Sequence, residues 1–147
     1  MEDIFTLQGA LQHGYEGRIE EWVHAFLLGA GHNPFLSFVL SLKKRYFINP
    51  VIFRLNAFNR NCGPEPHMKY QVKKPGFEFI VANMMTSLKN GWDIPPLIIN
   101  YEKGQFDLSD GNHRYEALTR FGLTHYYIIF WTSDMEDYKN LQKLVAH

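Results

Sequence analysis

Hydrophobic and polar positions recur along this chain with two periods, and the longer period marks its helices. Apolar residues spaced three and four positions apart are typical of an amphipathic helix. Caps agree with several of these stripes: Asn33 and Pro34 can begin a helix, and Asn90-Gly91 can end one. Ser133 and Glu136 form a capping box for the last helix. The pattern predicts helices over about residues 19–28, 34–46, 77–88, 112–121 and 133–145.

A shorter period, together with β-branched and aromatic residues, marks four strands. They are predicted over residues 50–55, 97–101, 105–109 and 125–131. Glu102-Lys103-Gly104 separates the middle two, which makes them a hairpin. The resulting order of strand, helix, hairpin, helix and strand predicts an α+β layer rather than a doubly wound sheet. Residues 1–17 carry no pattern strong enough for an assignment.

Two segments outside the strands have alternative interpretations. The helix after Asn33 ends in Lys43-Lys44-Arg45 and follows another short helix, as a DNA-binding helix-turn-helix would. We favour packing instead, with the cations complementing the helix dipole and an apolar face turned to the core. That face consists of Phe35, Phe38, Val39, Leu42 and Tyr46. The loop over residues 56–76 is long for a compact domain, which favours a functional role.

Composition narrows the class of protein. The 147 residues suffice for one domain with a sizeable core, and 15 basic residues balance 15 acidic ones, so the charge does not favour nucleic acid as a partner. The single cysteine, Cys62, cannot form an internal disulfide. No run of about 18 apolar residues is present, and the acidic start Met1-Glu2-Asp3 is not that of a signal peptide. We therefore expect a cytoplasmic protein that does not bind membranes.

The strand-to-helix turn at Asp110-Gly111-Asn112 is the strongest candidate for chemistry. Gly111 can adopt positive φ and allow close approach of a ligand, and the first N–H groups of the helix lack intrahelical acceptors. Arg114 falls in line with the buried stripe of the helix, where a guanidinium requires an acid or a phosphate, and His113 could donate to an oxyanion. The alternative is an ordinary N-cap by Asp110 or Asn112 and an ordinary ion pair by Arg114.

This turn resembles the signature of the ParB/sulfiredoxin superfamily, an Asp/Gly-Gly-x-His/Arg-Arg box. The matching residues are Asp110-Gly111-Asn112-His113-Arg114, followed by Ala117 and Gly122, and the resemblance spans about residues 50–131. It implies a small ParB/sulfiredoxin-like mixed sheet with packed helices, in which residues 50–147 form the core and residues 1–49 an N-terminal helical extension. Family members use the box to hold nucleotide phosphates, namely CTP in partitioning ParB proteins, ATP in sulfiredoxin and adenine nucleotide in ParB-like free-serine kinases.

Departures from the family pattern select among its branches. Asn112 occupies the position of the sulfiredoxin cysteine, which argues against sulfinic-acid reduction. Partitioning proteins usually carry Glu-Arg-Arg in the box and would continue beyond His147 into a helix-turn-helix. The Asp-Gly-x-His-Arg pattern is closest to the free-serine-kinase branch.

The resemblance implies a role for each candidate residue. Gly111, Asn112, His113 and Arg114 would contact nucleotide phosphate, with Arg60, His67, Lys73 and Lys74 as further candidates from the long loop. Glu65 would be the catalytic base, with Glu78 in reserve, and His113 and Asp110 would complete the catalytic set. Asp110 or Glu65 would also hold Mg²⁺. Glu65 could instead be a solvated loop carboxylate, and Cys62 a small packed side chain rather than a nucleophile.

Two hypotheses about function follow. The first is a nucleotide-binding domain, for ATP, ADP or CTP with Mg²⁺, that transfers a phosphoryl group to a small hydroxyl-bearing substrate or hydrolyses the nucleotide. The second is a non-catalytic regulatory module that binds a nucleotide or a partner, including a DNA-associated ParB-like role, with the N-terminal helices as the partner surface.

Overall fold

The computed structural model describes residues 3–146 as six α-helices around a mixed β-sheet. The helices are α1 (Leu7–Tyr15), α2 (Ile19–Leu28), α3 (Pro34–Ser41), α4 (Lys74–Lys89), α5 (Asn112–Arg120) and α6 (Met135–Val145). The strands are β1 (Tyr46–Phe47), β2 (Val51–Arg54), β3 (Cys62–Gly63), β4 (Tyr70–Gln71), β5 (Leu97–Glu102), β6 (Gln105–Asp110) and β7 (His125–Thr132). The predicted α+β class is confirmed. No helix of the described residues is both long enough and apolar enough to cross a membrane.

Strand β7 is the centre of the sheet because it has neighbours along both edges. β1 and β2 follow one another along one edge, each antiparallel to it, and β5 runs parallel along the other. β6 then pairs with β5 as the predicted antiparallel hairpin. β3 and β4 form a separate short parallel pair inside the long loop. The end of β6 therefore delivers the chain directly into α5.

Alternation along β5 and β7 divides the core between the two faces of the sheet. Leu97, Ile99, Ile128 and Phe130 belong to a cluster with residues of α5 and α6. Their intervening neighbours form a second cluster with α1, α2 and α3, whose sheet members are Ile98, Ile129 and Trp131. The N-terminal helices thus cover one face of the central strands β5 and β7.

The exposed face of α3 differs from the prediction. The helix buries Ser37 and Leu40, whereas the side chains of Phe35, Phe38 and Leu42 are 74%, 59% and 64% exposed. The Ser37 hydroxyl and the His24 imidazole of α2 form a 2.7 Å hydrogen bond on the buried side. Contact with α2, rather than the number of apolar residues on a face, decides how α3 is rotated. Tyr46, predicted at the end of this helix, lies in β1.

Helix ends follow local sequence in most cases. Asn33 caps α3 through its side chain, and α4 ends at Asn90-Gly91 with Gly91 at positive φ, both as predicted. The capping box of α6 is wrong, because Asp134 is the N-cap and accepts from the amide of Asp137. The hydroxyl of Ser133 instead accepts from Arg45, a long-range partner that the local pattern does not contain.

Candidate phosphate-binding site at the start of α5

Helix α5 begins at Gly111 without a side-chain cap. Gly111 has φ 109° and ψ 25°, and its carbonyl accepts from the Tyr115 amide at 2.7 Å. The predicted positive φ is confirmed. Neither Asp110 nor Asn112 caps the helix, and its first turn contains no acidic residue. The amides of the first turn therefore have no acceptor within the helix, and the positive end of its dipole faces no neighbouring carboxylate on α5.

The guanidinium of Arg114 lies directly beneath this turn. A Cβ placed on Gly111 would be 3.0 Å from Arg114 Nη2 and 2.7 Å from Leu97 Cδ2. Arg114 is 7% exposed, donates through Nη2 to the Pro96 carbonyl at 2.9 Å and lies 5.1 Å from the centre of the Phe26 ring. Its Nε is buried and has no acceptor. Only glycine leaves room for a cation this close to the backbone.

Asp110 is the counterion of Arg114. Its Oδ2 lies 3.4 Å from Arg114 Nη1, and its Oδ1 accepts from the Asn33 amide group at 2.9 Å. Both carboxylate oxygens are therefore engaged by protein donors, and the side chain is about one-tenth exposed. This arrangement leaves Asp110 little capacity to hold a metal ion alone. Among residues 3–146, no group of three or more His, Cys, Asp or Glu side chains is placed to bind a metal.

Asn112 fastens the long loop to the turn. Its Oδ1 accepts from the amides of Asn61 and Cys62 at 2.9 and 3.1 Å, and its Nδ2 donates to Asn61 Oδ1 at 3.0 Å. The side chain thus makes three hydrogen bonds to a segment about fifty residues away. Its backbone amide, not its side chain, is the group available to a ligand.

His113 sits at the same turn with its ring against Phe77, at 4.9 Å between ring centres. The imidazole forms no hydrogen bond with any residue of the described chain. Burial, with smaller contributions from the positive charges of Arg114 and Arg60, lowers the pKa of His113 below its ordinary value. The ring is therefore neutral at pH 7, where it can donate one hydrogen bond without adding charge.

Arg60 faces inward and joins a chain of alternating charges. It donates to Glu65 at 2.7 Å and to Glu116 at 2.9 Å. Glu116 also accepts from Arg120, which binds Glu78 through both terminal nitrogens at 2.6 and 2.8 Å. This chain ties the long loop, α4 and α5 together. Glu116 and Arg120 were not predicted as part of any site, although their i, i+4 spacing on a helix is a recognisable signal.

The two candidate bases are both held by arginines. The hydrogen bond from Arg60 keeps the pKa of Glu65 below its ordinary range, and that from Arg120 does the same for Glu78. A general base works best when its pKa lies near the working pH, and these carboxylates are shifted away from it. Burial raises the pKa of the Cys62 thiol, which keeps it protonated and a weak nucleophile.

Two surface pockets lie away from the 110–114 box. One, of about 620 Å³, is lined by Lys73 and Lys74 beside the start of α4, near Pro64 and Gln71. The other, of about 680 Å³, lies between β2 and α6. The box itself forms a compact turn with Arg114 filling the space below it. Among its contacts, Phe26 and Phe77 were not predicted, because nothing in the local sequence points from α2 or α4 to this turn.

Comparison with known proteins gives one structural likeness. No protein-family model matches the chain, and no curated protein matches it. The structure is similar to that of a C2221 crystal form of a Pnob8-like ParB-N domain, with a TM-score of 0.41 and 14% sequence identity. The match covers 67% of this chain and 34% of the other, about a third of its length. At this identity and TM-score, the match assigns neither a function nor a site residue to this chain.

Proposed function

We propose that this chain is a nucleotide-binding module that holds a phosphate group at the start of α5 and acts by binding rather than by turnover. The observation that carries the proposal is the α5 N-terminus, which has no side-chain cap and no acid in its first turn. Backbone N–H groups at a helix start, together with the helix dipole, form a natural site for phosphate oxygens. Asn112 and His113 would supply these amides, and Gly111 would allow close approach.

Arg114, which lies beneath the turn, and His113, which lies beside it, would stabilise the same bound phosphate. The buried guanidinium retains one donor without an acceptor, Nε, so its hydrogen-bonding capacity is not exhausted by Asp110 and Pro96. The charge of Arg114 acts on an anion above Gly111 over a short, poorly solvated distance. The neutral imidazole of His113 can donate to a phosphate oxygen. Mg²⁺ would arrive with the nucleotide rather than on a cluster of protein carboxylates.

Binding without turnover is favoured because the candidate catalytic carboxylates are occupied. Glu65 is held by Arg60, and Asp110 is held by Arg114 and Asn33. A phosphotransferase would need one of them free to deprotonate an acceptor hydroxyl or to coordinate the metal. The geometry therefore supports the regulatory module better than the kinase.

The test is an NMR titration of the ¹⁵N-labelled chain with ATP, ADP and CTP, each with MgCl₂, and with inorganic phosphate. We expect saturable shifts of the Gly111, Asn112 and His113 amides with at least one nucleotide. A nucleotide at about 100 times its dissociation constant adds about 2.7 kcal/mol to the free energy of unfolding, which a melting scan detects. Unmoved amides at this turn, with every nucleotide, would overturn the proposal.

Variants and product analysis complete this experiment. His113→Ala should weaken binding while leaving Arg114 in place, and Lys139→Gln, an exposed lysine on α6, serves as the control for general loss of positive charge. ³¹P NMR of ATP kept with the protein, with and without serine as acceptor, should show no new phosphate species. If ADP forms with the wild-type chain but not with Glu65→Gln, the protein is an enzyme and the proposal of a binding module is wrong.

A further inference from the structure

A second site is indicated by a pocket on the opposite end of the sheet from β6, at its β1/β2 edge. This β2–α6 pocket has a volume of about 680 Å³, within the range of small-molecule sites. It is lined by Ile52, Phe53 and Arg54 of β2, Tyr101 of β5, His125 of β7, and Asn140, Lys143 and Leu144 of α6. Its lining contains three basic side chains and no carboxylate.

Arg54 differs from the other arginines of the chain. Five of the six, namely Arg18, Arg45, Arg60, Arg114 and Arg120, donate side-chain hydrogen bonds to protein oxygens. Arg54 donates none to the described residues, and its guanidinium lies 4.9 Å from the centre of the Phe53 ring. Stacking orders the side chain while leaving its planar donors free, which is the state in which arginine binds a carboxylate or phosphate.

No carboxylate lines the pocket to neutralise the charge of Arg54. Arg54 is the direct cross-strand partner of His125, and Lys143 approaches from α6 without a salt bridge to any described residue. A bound anion would supply the acceptor that no described residue offers to the Arg54 guanidinium.

Most of the remaining lining is apolar, and this indicates that the ligand has an apolar part beside its charged group. Ile52 and Leu144 are 55% and 44% exposed, and the Phe53 ring lies beside them. Exposed apolar side chains next to unpaired cations suit a molecule that has an apolar body and an anionic head. Asn140 and Tyr101 add polar groups that can orient the head.

We propose that the β2–α6 pocket binds a small organic anion, a carboxylate or phosphate carried on an apolar group, with Arg54 and Lys143 as its charge contacts. The site is separate from the start of α5 and does not depend on the nucleotide proposal. The two differ in ligand as well as in place, because the α5 turn offers amides and the β2–α6 pocket offers side-chain cations beside apolar surface.

The test uses four probes with the ¹⁵N-labelled full chain: phenylacetate, phenyl phosphate, inorganic phosphate and benzyl alcohol. We expect saturable shifts around Arg54, His125 and Lys143 with the two aromatic anions, and at least tenfold weaker binding of inorganic phosphate and of the neutral alcohol. Which aromatic anion binds more tightly separates carboxylate from phosphate ligands. No saturable shift at these residues, or equal binding of benzyl alcohol, would overturn the proposal.

Variants provide a matched control on one helix. Arg54→Gln and Lys143→Gln should each weaken binding of the preferred anion by about tenfold or more. Lys139→Gln removes the same charge from the same helix at a position that does not line the pocket, and it should leave binding unchanged. Equal losses in Lys139→Gln and Lys143→Gln would show diffuse surface attraction and would overturn the proposal. All three side chains are exposed, so the variants should fold.

Discussion

Gly111 is the residue on which the geometry of the α5 turn depends. Its φ of 109° lies in the region that side chains with a Cβ disfavour, and a Cβ would also press on Leu97 and Arg114. Gly122, which follows α5, has a similar φ of 100° but open space around it. Comparison of alanine variants at the two glycines therefore separates the cost of backbone strain from the cost of steric conflict.

Gly111→Ala should destabilise the fold more than Gly122→Ala. Placing an alanine at positive φ costs about 1–2 kcal/mol, and this cost applies to both variants. Overpacking against the buried Leu97 adds about 1–3 kcal/mol in Gly111→Ala only. Urea unfolding followed by circular dichroism measures the two free energies of unfolding. Equal losses in the two variants would show that the space beneath Gly111 is not fixed as described.

The ion pairs at the site also act residue by residue, and they occupy the carboxylates that were candidates for catalysis. Arg60 engages Glu65 and Glu116, and Arg114 engages Asp110. The hydrogen bond from Arg60 keeps the pKa of Glu65 below its ordinary range. Reactivity would need a rearrangement of these pairs, whereas binding of phosphate at the α5 amides needs none.

At the scale of elements, α4 is attached mainly through α5. Its buried residues are Phe77 and Val81, which form a small cluster with Ala117 of α5, and Glu78 binds Arg120. The helix was predicted over residues 77–88, but its apolar residues are not all buried, since Ile80 is 40% exposed. Phe77 also contacts Arg60 and His113, so one ring supports both the helix and the proposed phosphate site.

Phe77→Ala should therefore be costly, whereas Phe79→Ala on the same helix should not be. Phe77 is 2% exposed and Phe79 is 67% exposed. Truncation of a buried phenylalanine costs about 3–5 kcal/mol, and a surface change stays within about 0.5 kcal/mol. Thermal and urea unfolding of the two variants give the comparison. A large loss in Phe79→Ala would mean that another surface covers this face of α4.

At the scale of the whole molecule, the sheet has a core on each face. The N-terminal helices bury Ile98, Ile129 and Trp131 of the central strands. Asn33, at the start of α3, donates to Asp110, so the N-terminal segment also reaches the counterion of Arg114. One face of the sheet and one contact of the proposed site therefore depend on residues that precede β2.

A chain of residues 50–147 alone should not reach the native state. Removal of the first 49 residues exposes three large side chains of the central sheet and deletes β1. We expect poor dispersion in a ¹H–¹⁵N spectrum and a broad, non-cooperative urea transition, compared with a single sharp transition for the full chain. A well-dispersed spectrum with cooperative unfolding would show that the core folds independently.

Local sequence by itself determined helices α2 to α6 and strands β2, β5, β6 and β7, whereas α1, β1, β3 and β4 were not predicted. The helical stripes, the hairpin turn and the positive φ of Gly111 depend on residues only a few positions apart, so the sequence is sufficient to predict them. The α+β class followed from the order of elements.

Tertiary structure alone decided the directions in which side chains point and the partners they find. Sequence could not show that α3 turns its phenylalanines outward, that Arg60 binds two glutamates, or that Arg54, His125 and Lys143 line one pocket. These outcomes join residues that are distant along the chain, and each depends on how whole elements pack. The α5 turn is local and was predicted, whereas the β2–α6 pocket is assembled from four elements and appears only in the fold.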